Sequence, residues 1–177
     1  MTDPTRQARL TRLFEIAYDD LCRFVRRRIA DGDDVVAETF LVAWRRLDDV
    51  PTDDGDARAW LFGVARKQIA NRRRKDARLL HAADADDIAP DETGGVDARI
   101  DLSRAFSRLA ARDQECLALI AWDGLTPTQA ASVLGISVNA FTVRLHRARR
   151  RLRAALAEPS TLSALAAMAP RTSGSPS

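Results

Sequence analysis

Two cysteines, two histidines and one tyrosine are all that the 177 residues contain of those types. Cys22 and Cys116 stand far apart, with no CxxC pair or neighbouring histidine, which speaks against a zinc site or a redox couple and leaves two buried free thiols. His81 and His146 have no serine, cysteine or carboxylate constellation around them, and there is no P-loop. No catalytic centre, metal or cofactor is therefore expected, and the chain does not read as an enzyme. Aromatics make up only 6% of the residues, so a core must be built from Leu, Ala, Val and Ile. Nothing approaches the ~20 consecutive apolar residues that span a bilayer. Met1 to Arg12 has no signal-peptide core, so no membrane insertion and a cytoplasmic location are expected. Runs of β-branched residues are scarce while Ala and Leu abound. The expected fold class is all-α.

What is present is unevenly distributed. Residues 81–101 hold seven acids against the single base Arg99, whereas 102–157 hold nine arginines against three acids. A basic field beside an acidic connector suits a module that binds an anion. The length accommodates two small helical domains. Their expected bounds are 5–80 and 99–157, with a flexible acidic linker over 81–98 (Pro90 and Gly94-Gly95 lie in it) and a tail over 158–177. Within the tail, Thr161 to Met168 reads as a short helix.

In the first domain, Leu10, Leu13, Phe14, Ala17, Leu21, Phe24, Val25 and Ile29 recur as one apolar stripe, ending at Gly32. Asp33 or Asp34 is positioned to cap a second helix, whose inward face is Val36, Phe40, Ala43, Trp44 and Leu47. A loop, Asp48 to Asp56, follows, and another helix begins near Ala57 and runs into Asn71-Arg72-Arg73-Arg74-Lys75, continuing past Leu79 or breaking there into a fourth piece.

The most informative stretch is Leu125 to Arg153. Thr126, Pro127 and Gln129 form a capping box with proline at the first helical position. Gly135 is suited to the left-handed stop, Ile136 to packing under the turn, and Ser137 to capping the next helix. Helix, glycine turn, helix is the helix-turn-helix arrangement. On the second helix, Val138, Phe141, Leu145, Ala148 and Leu152 share one face. Asn139, Ala140, Val143, Arg147 and Arg150 share the opposite one, with Arg144 and Arg151 at the shoulder. Arginine reads guanine and asparagine reads adenine in a major groove, while Arg149, Arg151 and Arg153 suit phosphates.

The segment LTPTQAASVLGISVNAFTVRLHRARRRL resembles the C-terminal DNA-binding region of extracytoplasmic-function sigma factors of bacterial RNA polymerase, in the sigma-70 family. LFEIAYDDLCRFVRRRI, DVVAETFLVAWRRL and ARAWLFGVARKQIANRRRK resemble, in order, three blocks of that family's N-terminal domain. The resemblance covers about 10–157. It implies a sigma factor that binds core RNA polymerase through the β′ clamp helices and the β flap, directs initiation at −10 and −35 promoter DNA, and frequently has an anti-sigma partner.

Carried over by residue, Asp34, Glu38, Leu41 and Arg45 would meet the polymerase, and an exposed Leu41 among charges suits a partner groove. Ala37 departs from the glutamine usual there. Asp53, Asp54, Asp56, Arg58, Arg66, Lys67, Asn71 and Arg74 would contact −10 DNA, with Arg72 and Arg73 adding charge. Trp60 and Phe62 are the aromatics available to stack on bases, Trp60 with the stronger pull towards the core. Gln68 stands where the family prefers an apolar side chain. Ser137, Asn139, Ala140, Val143, Arg144, Arg147 and Arg150 would contact −35 DNA. Two other readings compete. One is a stand-alone helix-turn-helix regulator acting on a palindrome without polymerase. The other is a polymerase-binding protein whose basic helix reads no sequence.

Overall fold

The computed structural model describes the backbone of residues 4–80 and 96–157, and the side chains of 4–76 and 101–157. Seven α-helices and one 3-10 turn make up the described residues, which contain no strand. The first group is α1 (Pro4–Arg26), α2 (Asp33–Arg45), a 3-10 turn (Leu47–Asp49) and α3 (Asp54–Leu80). The second is α4 (Val96–Ser107), α5 (Ala111–Ala121), α6 (Pro127–Leu134) and α7 (Val138–Ala157). Residues 81–95 of the expected linker, His81 and the tail 158–177 lie outside the described residues, and α4 begins at Val96, inside the span read as linker.

The apolar stripe of α1 buries Leu13, Ala17, Leu21, Phe24 and Val25, one line at three- and four-residue spacing. Two details depart from expectation. The helix stops at Arg26, so Ile29 follows a turn rather than ending the stripe. Phe14, one step of rotation off the buried line, is 46% exposed; it stacks on Tyr18, with ring centroids 4.3 Å apart, and leans on Phe40. In α2 neither Asp33 nor Asp34 caps. Gly32 holds the cap position and no side chain bonds there, while both aspartates occupy the first turn, where they face the positive end of the helix dipole. Gly32 is glycine because of proximity, since a Cβ there would lie 2.2 Å from Val25 Cγ1.

The loop read over Asp48–Asp56 is shorter than expected. Asp53 Oδ1 accepts from the Asp56 N–H at 3.0 Å, and α3 starts at Asp54. Asp54 and Asp56 therefore belong to the first helical turn, where acids are favourable. Three arginines on one side of α1 hold this corner. Arg6 bonds Asp48 and the Trp44 carbonyl, Arg9 bonds the Val50 carbonyl, and Arg12 Nε donates to Asp54 Oδ1 at 3.1 Å. Asp54 raises the pKa of the Arg12 guanidinium above its ordinary value, first through that hydrogen bond and then through charge. From Asp54 to Leu80 α3 is continuous, with no break into a further piece.

In the second group the expected punctuation is in place. Thr126 and Gln129 form the capping box, Pro127 opens α6, and Gly135 ends it at φ 67° in the left-handed region. Ile136 packs on the core, and Ser137 Oγ accepts from the Ala140 N–H at 3.2 Å.

The two groups do not stand apart. One continuous buried cluster joins Leu21, Phe24, Phe62 and Ile69 of the first to Phe106, Leu117, Val133 and Phe141 of the second. Beside it lies a buried ion cluster. Arg28, whose side chain is 3% exposed, stacks on the Phe24 ring and donates to Asp123 at 2.8 Å and Glu115 at 3.2 Å. Arg27 also pairs with Asp123, whose side chain is fully buried. Such a cluster is weak evidence of net stability, but removing one partner strands a buried charge at a cost of about 3–5 kcal/mol.

Candidate functional site

Three exposed faces carry the residues singled out above. On α2, Asp34, Glu38, Leu41 and Arg45 are all exposed along one side, with Leu41 at 53%. An apolar groove of about 530 Å³ runs next to Leu41, lined by Gln7, Leu10, Ala37, Phe40, Leu41 and Trp44. Phe40 and Trp44, both read as inward-facing, are partly buried: Phe40 packs on the core as expected, and both also border this groove. Leucine amid charges, bordering such a groove, is a surface suited to an apolar partner element. Ala37 lines the groove, so the absence of glutamine there enlarges its apolar wall.

On α3 the eight candidate residues divide. Lys67, Asn71 and Arg74 are exposed at helical spacing, and Arg74 bonds Asn71. The others have partners within the chain. Asp53 caps the helix, Asp54 pairs with Arg12, and Asp56 accepts from Gln129 Nε2 at 3.0 Å. Arg58 donates to Asp20 at 2.7 Å and to the Gly124 carbonyl at 3.3 Å, and Arg66 lies 3.8 Å from Glu115. Arg72 lies 3.9 Å from Asp34, and Arg73 donates to the Arg28 carbonyl. Phe62 cannot stack on a base in this structure: it is fully buried, with its ring 4.6 Å from that of Phe24. Trp60 is half-buried against the core, with Arg46 over its ring at 5.8 Å.

On α7 the two faces separate as expected. Phe141, Leu145 and Ala148 are buried, while Ser137, Asn139, Ala140, Val143, Arg147 and Arg150 are exposed. Arg144 is half-buried at the shoulder, where its charge acts on the buried Cys116 thiol. Burial pushes that thiol up to about 11, against a smaller lowering by Arg144. Val138, placed on the inner face, is 41% exposed at the start of α7. Arg151, read as a phosphate contact, pairs with Asp113 in this structure. The sequence reading missed this pair, the Arg28 cluster and the groove. For the ion pairs the one visible signal was the scarcity of acids in 102–157: all three, Asp113, Glu115 and Asp123, lie in ion pairs.

A capped helix-turn-helix with a cationic outer face, preceded by a helical domain with an exposed leucine and a basic helix, is matched among known proteins. Residues 13–79 match the model for Sigma-70 region 2, and residues 99–152 that for Sigma-70, region 4. The RNA polymerase sigma factor CnrH of Cupriavidus metallidurans is 38% identical over 141 residues, covering 71% of this chain and 73% of that one. The ECF RNA polymerase sigma factor SigL of Mycobacterium tuberculosis is 34% identical over 136 residues, covering 73% and 76%. The structure of CnrH in complex with the cytosolic domain of CnrY aligns with a TM-score of 0.57 at 29% identity, over 85% of this chain and 89% of that one. Among the described residues no helix is long and apolar enough to cross a membrane. The stand-alone regulator reading is not favoured, since the N-terminal domain it leaves without a role matches region 2. The chain belongs to the extracytoplasmic-function group of the sigma-70 family and is a polymerase-binding sigma factor.

Proposed function

We propose that the chain directs initiation by reading −35 DNA with α7 and −10 DNA with the exposed side of α3, while α2 docks on the β′ clamp helices and the second domain on the β flap. The observation that carries this is the division of α7: Asn139, Val143, Arg147 and Arg150 lie exposed, opposite the buried Phe141, Leu145 and Ala148. A helix fixed on one side and bearing donors and an apolar contact on the other fits a major groove. Lys67, Asn71 and Arg74 supply the corresponding basic surface on α3, and Leu41 with its groove supplies the polymerase contact. Catalysis belongs to the polymerase, and the factor works in the cytoplasm. The CnrH structure includes the cytosolic domain of a second protein, CnrY, which supports an anti-sigma partner for this chain as well. The domain bounds proposed are 5–80 and 99–157. Native mass measurement with core polymerase, followed by run-off transcription from selected promoters, tests the assignment. A stable complex and a start site that depends on the factor are expected; failure to bind the core enzyme would overturn it.

A further inference from the structure

We propose that Val143 reads the 5-methyl group of a thymine in the −35 element, set between the bases contacted by Asn139 and Arg147. The proposal rests on the assignment of α7 to −35 DNA and adds the base that its apolar residue selects. Among the described residues the exposed large hydrophobic side chains are Phe14, Tyr18, Leu41, Val138, Val143 and Leu156. Phe14 and Tyr18 stack on each other, Leu41 borders the groove on α2, and Val138 and Leu156 stand near the two ends of α7. Val143 is different: it is 50% exposed within the helix and belongs to none of the buried clusters. Packing does not account for it. A β-branched side chain also lowers helix propensity, so alanine at this exposed position would suit the helix better.

Rotation places Val143 opposite the buried line of Phe141, Leu145 and Ala148. Asn139 and Arg147 flank it four residues away on either side, and Ala140 and His146 three residues away; all four are exposed. Val143 and Ala140 thus make a small apolar island in a face of polar and charged side chains. Every base pair offers donors and acceptors to the major groove, but thymine alone adds an apolar group there, the methyl on C5. A polar side chain set against that methyl would give up its hydrogen bond to water, whereas valine gives up none. Four residues of helix advance about 6 Å, and successive base pairs about 3.4 Å. Side chains at this spacing therefore meet bases one or two pairs apart. Asn139 suits adenine and Arg147 guanine, so the methyl-bearing base lies between those two. A cytosine methylated at C5 presents the same apolar group and should be recognised by the same contact.

The test uses the full chain bound to core polymerase. Selection first gives its preferred −35 sequence. Each thymine of that sequence is then replaced in turn by deoxyuridine, which removes only the methyl group. Binding is measured for the unaltered chain, Val143→Ala and Arg153→Ala, with circular dichroism to check that helix content is kept. At one thymine, deoxyuridine is expected to weaken binding by the unaltered chain about fourfold, the effect of one buried methyl group. The same replacement should change binding by Val143→Ala less than about twofold, since the two partners of one contact are not independent. Arg153→Ala should bind every sequence more weakly yet keep the penalty. Cytosine and 5-methylcytosine compared at that position should differ by a similar factor, again only with valine present. A selected sequence without thymine, or an unaltered chain indifferent to deoxyuridine at every thymine, overturns the methyl contact without need of a variant. Equal penalties in the unaltered chain and in Val143→Ala overturn it as well. In each of these cases a sequence preference at −35 leaves α7 on that DNA; no preference there at all overturns the assignment of α7 itself.

Discussion

Thr126 and Gln129 satisfy each other's backbones: the threonine hydroxyl accepts from the Gln129 N–H at 3.2 Å, and the Gln129 side-chain oxygen accepts from the Thr126 N–H at 3.1 Å. The nitrogen of the same side-chain amide donates to Asp56 in the other domain. One glutamine therefore serves a local and a long-range role with different atoms, and the two can be separated. Thr126→Ala should cost about 1 kcal/mol in chemical denaturation. Gln129→Glu keeps the acceptor that completes the box but turns the contact with Asp56 into a repulsion. Gln129 is half-buried, and the change should cost less in thermal denaturation than the roughly 1 kcal/mol of Thr126→Ala, while weakening the contact of α6 with α3, read as expansion in small-angle scattering. A loss as large as that of Thr126→Ala would show that the box needs glutamine itself.

Leu41→Asp should weaken retention by core polymerase at least tenfold in a pull-down, with unchanged helical circular dichroism. The side chain is 53% exposed, so the fold does not depend on it, whereas a carboxylate at the edge of an apolar groove opposes any apolar partner. Retention equal to that of the unaltered chain would dissociate this face from polymerase.

Arg147 and Arg153 are both exposed on α7, about two turns apart, and should behave differently on DNA. Arg147→Ala should change the preferred −35 sequence in a selection experiment, with a loss of roughly 1–3 kcal/mol at one position. Arg153→Ala should weaken all sequences alike and lower the salt slope by about one unit. Arg151 is a poor choice for such a test because it pairs with Asp113, and its loss would leave a buried carboxylate without that partner.

Cys116 should resist thiol reagents at pH 8 until the protein unfolds. Its pKa is pushed up to about 11 by burial, so the native state holds the proton after the unfolded state has released it. The contribution to stability is therefore full below the ordinary thiol pKa and is lost as pH rises towards 11. Alkylation rates followed by mass spectrometry, with and without denaturant, check this; rapid labelling of the native protein at Cys116 would contradict it.

The helix-turn-helix was legible in the sequence because each of its signals is local. Thr126, Pro127, Gln129, Gly135 and Ser137 act within one or two turns, and the two faces of α7 follow from a fixed rotation per residue. The family resemblance rested on the same kind of contiguous pattern. Errors arose where a residue's role depended on what lay across from it. Phe14 was read as part of the buried stripe and Phe62 as an aromatic for bases, yet Phe14 is exposed beside Tyr18 and Phe62 is sealed against Phe24.

Sequence by itself determined the helices, the capped turn, the basic outer face of α7 and the exposed line from Asp34 to Arg45, since propensity, capping and periodicity act between near neighbours. Only the tertiary structure decided that Arg28 would meet Asp123 across 95 residues, that Asp56 would meet Gln129 across 73, and that Leu41 would border a groove. Such contacts depend on how α6 is laid on α3 and α2 beside α1, and no spacing along the chain encodes that placement.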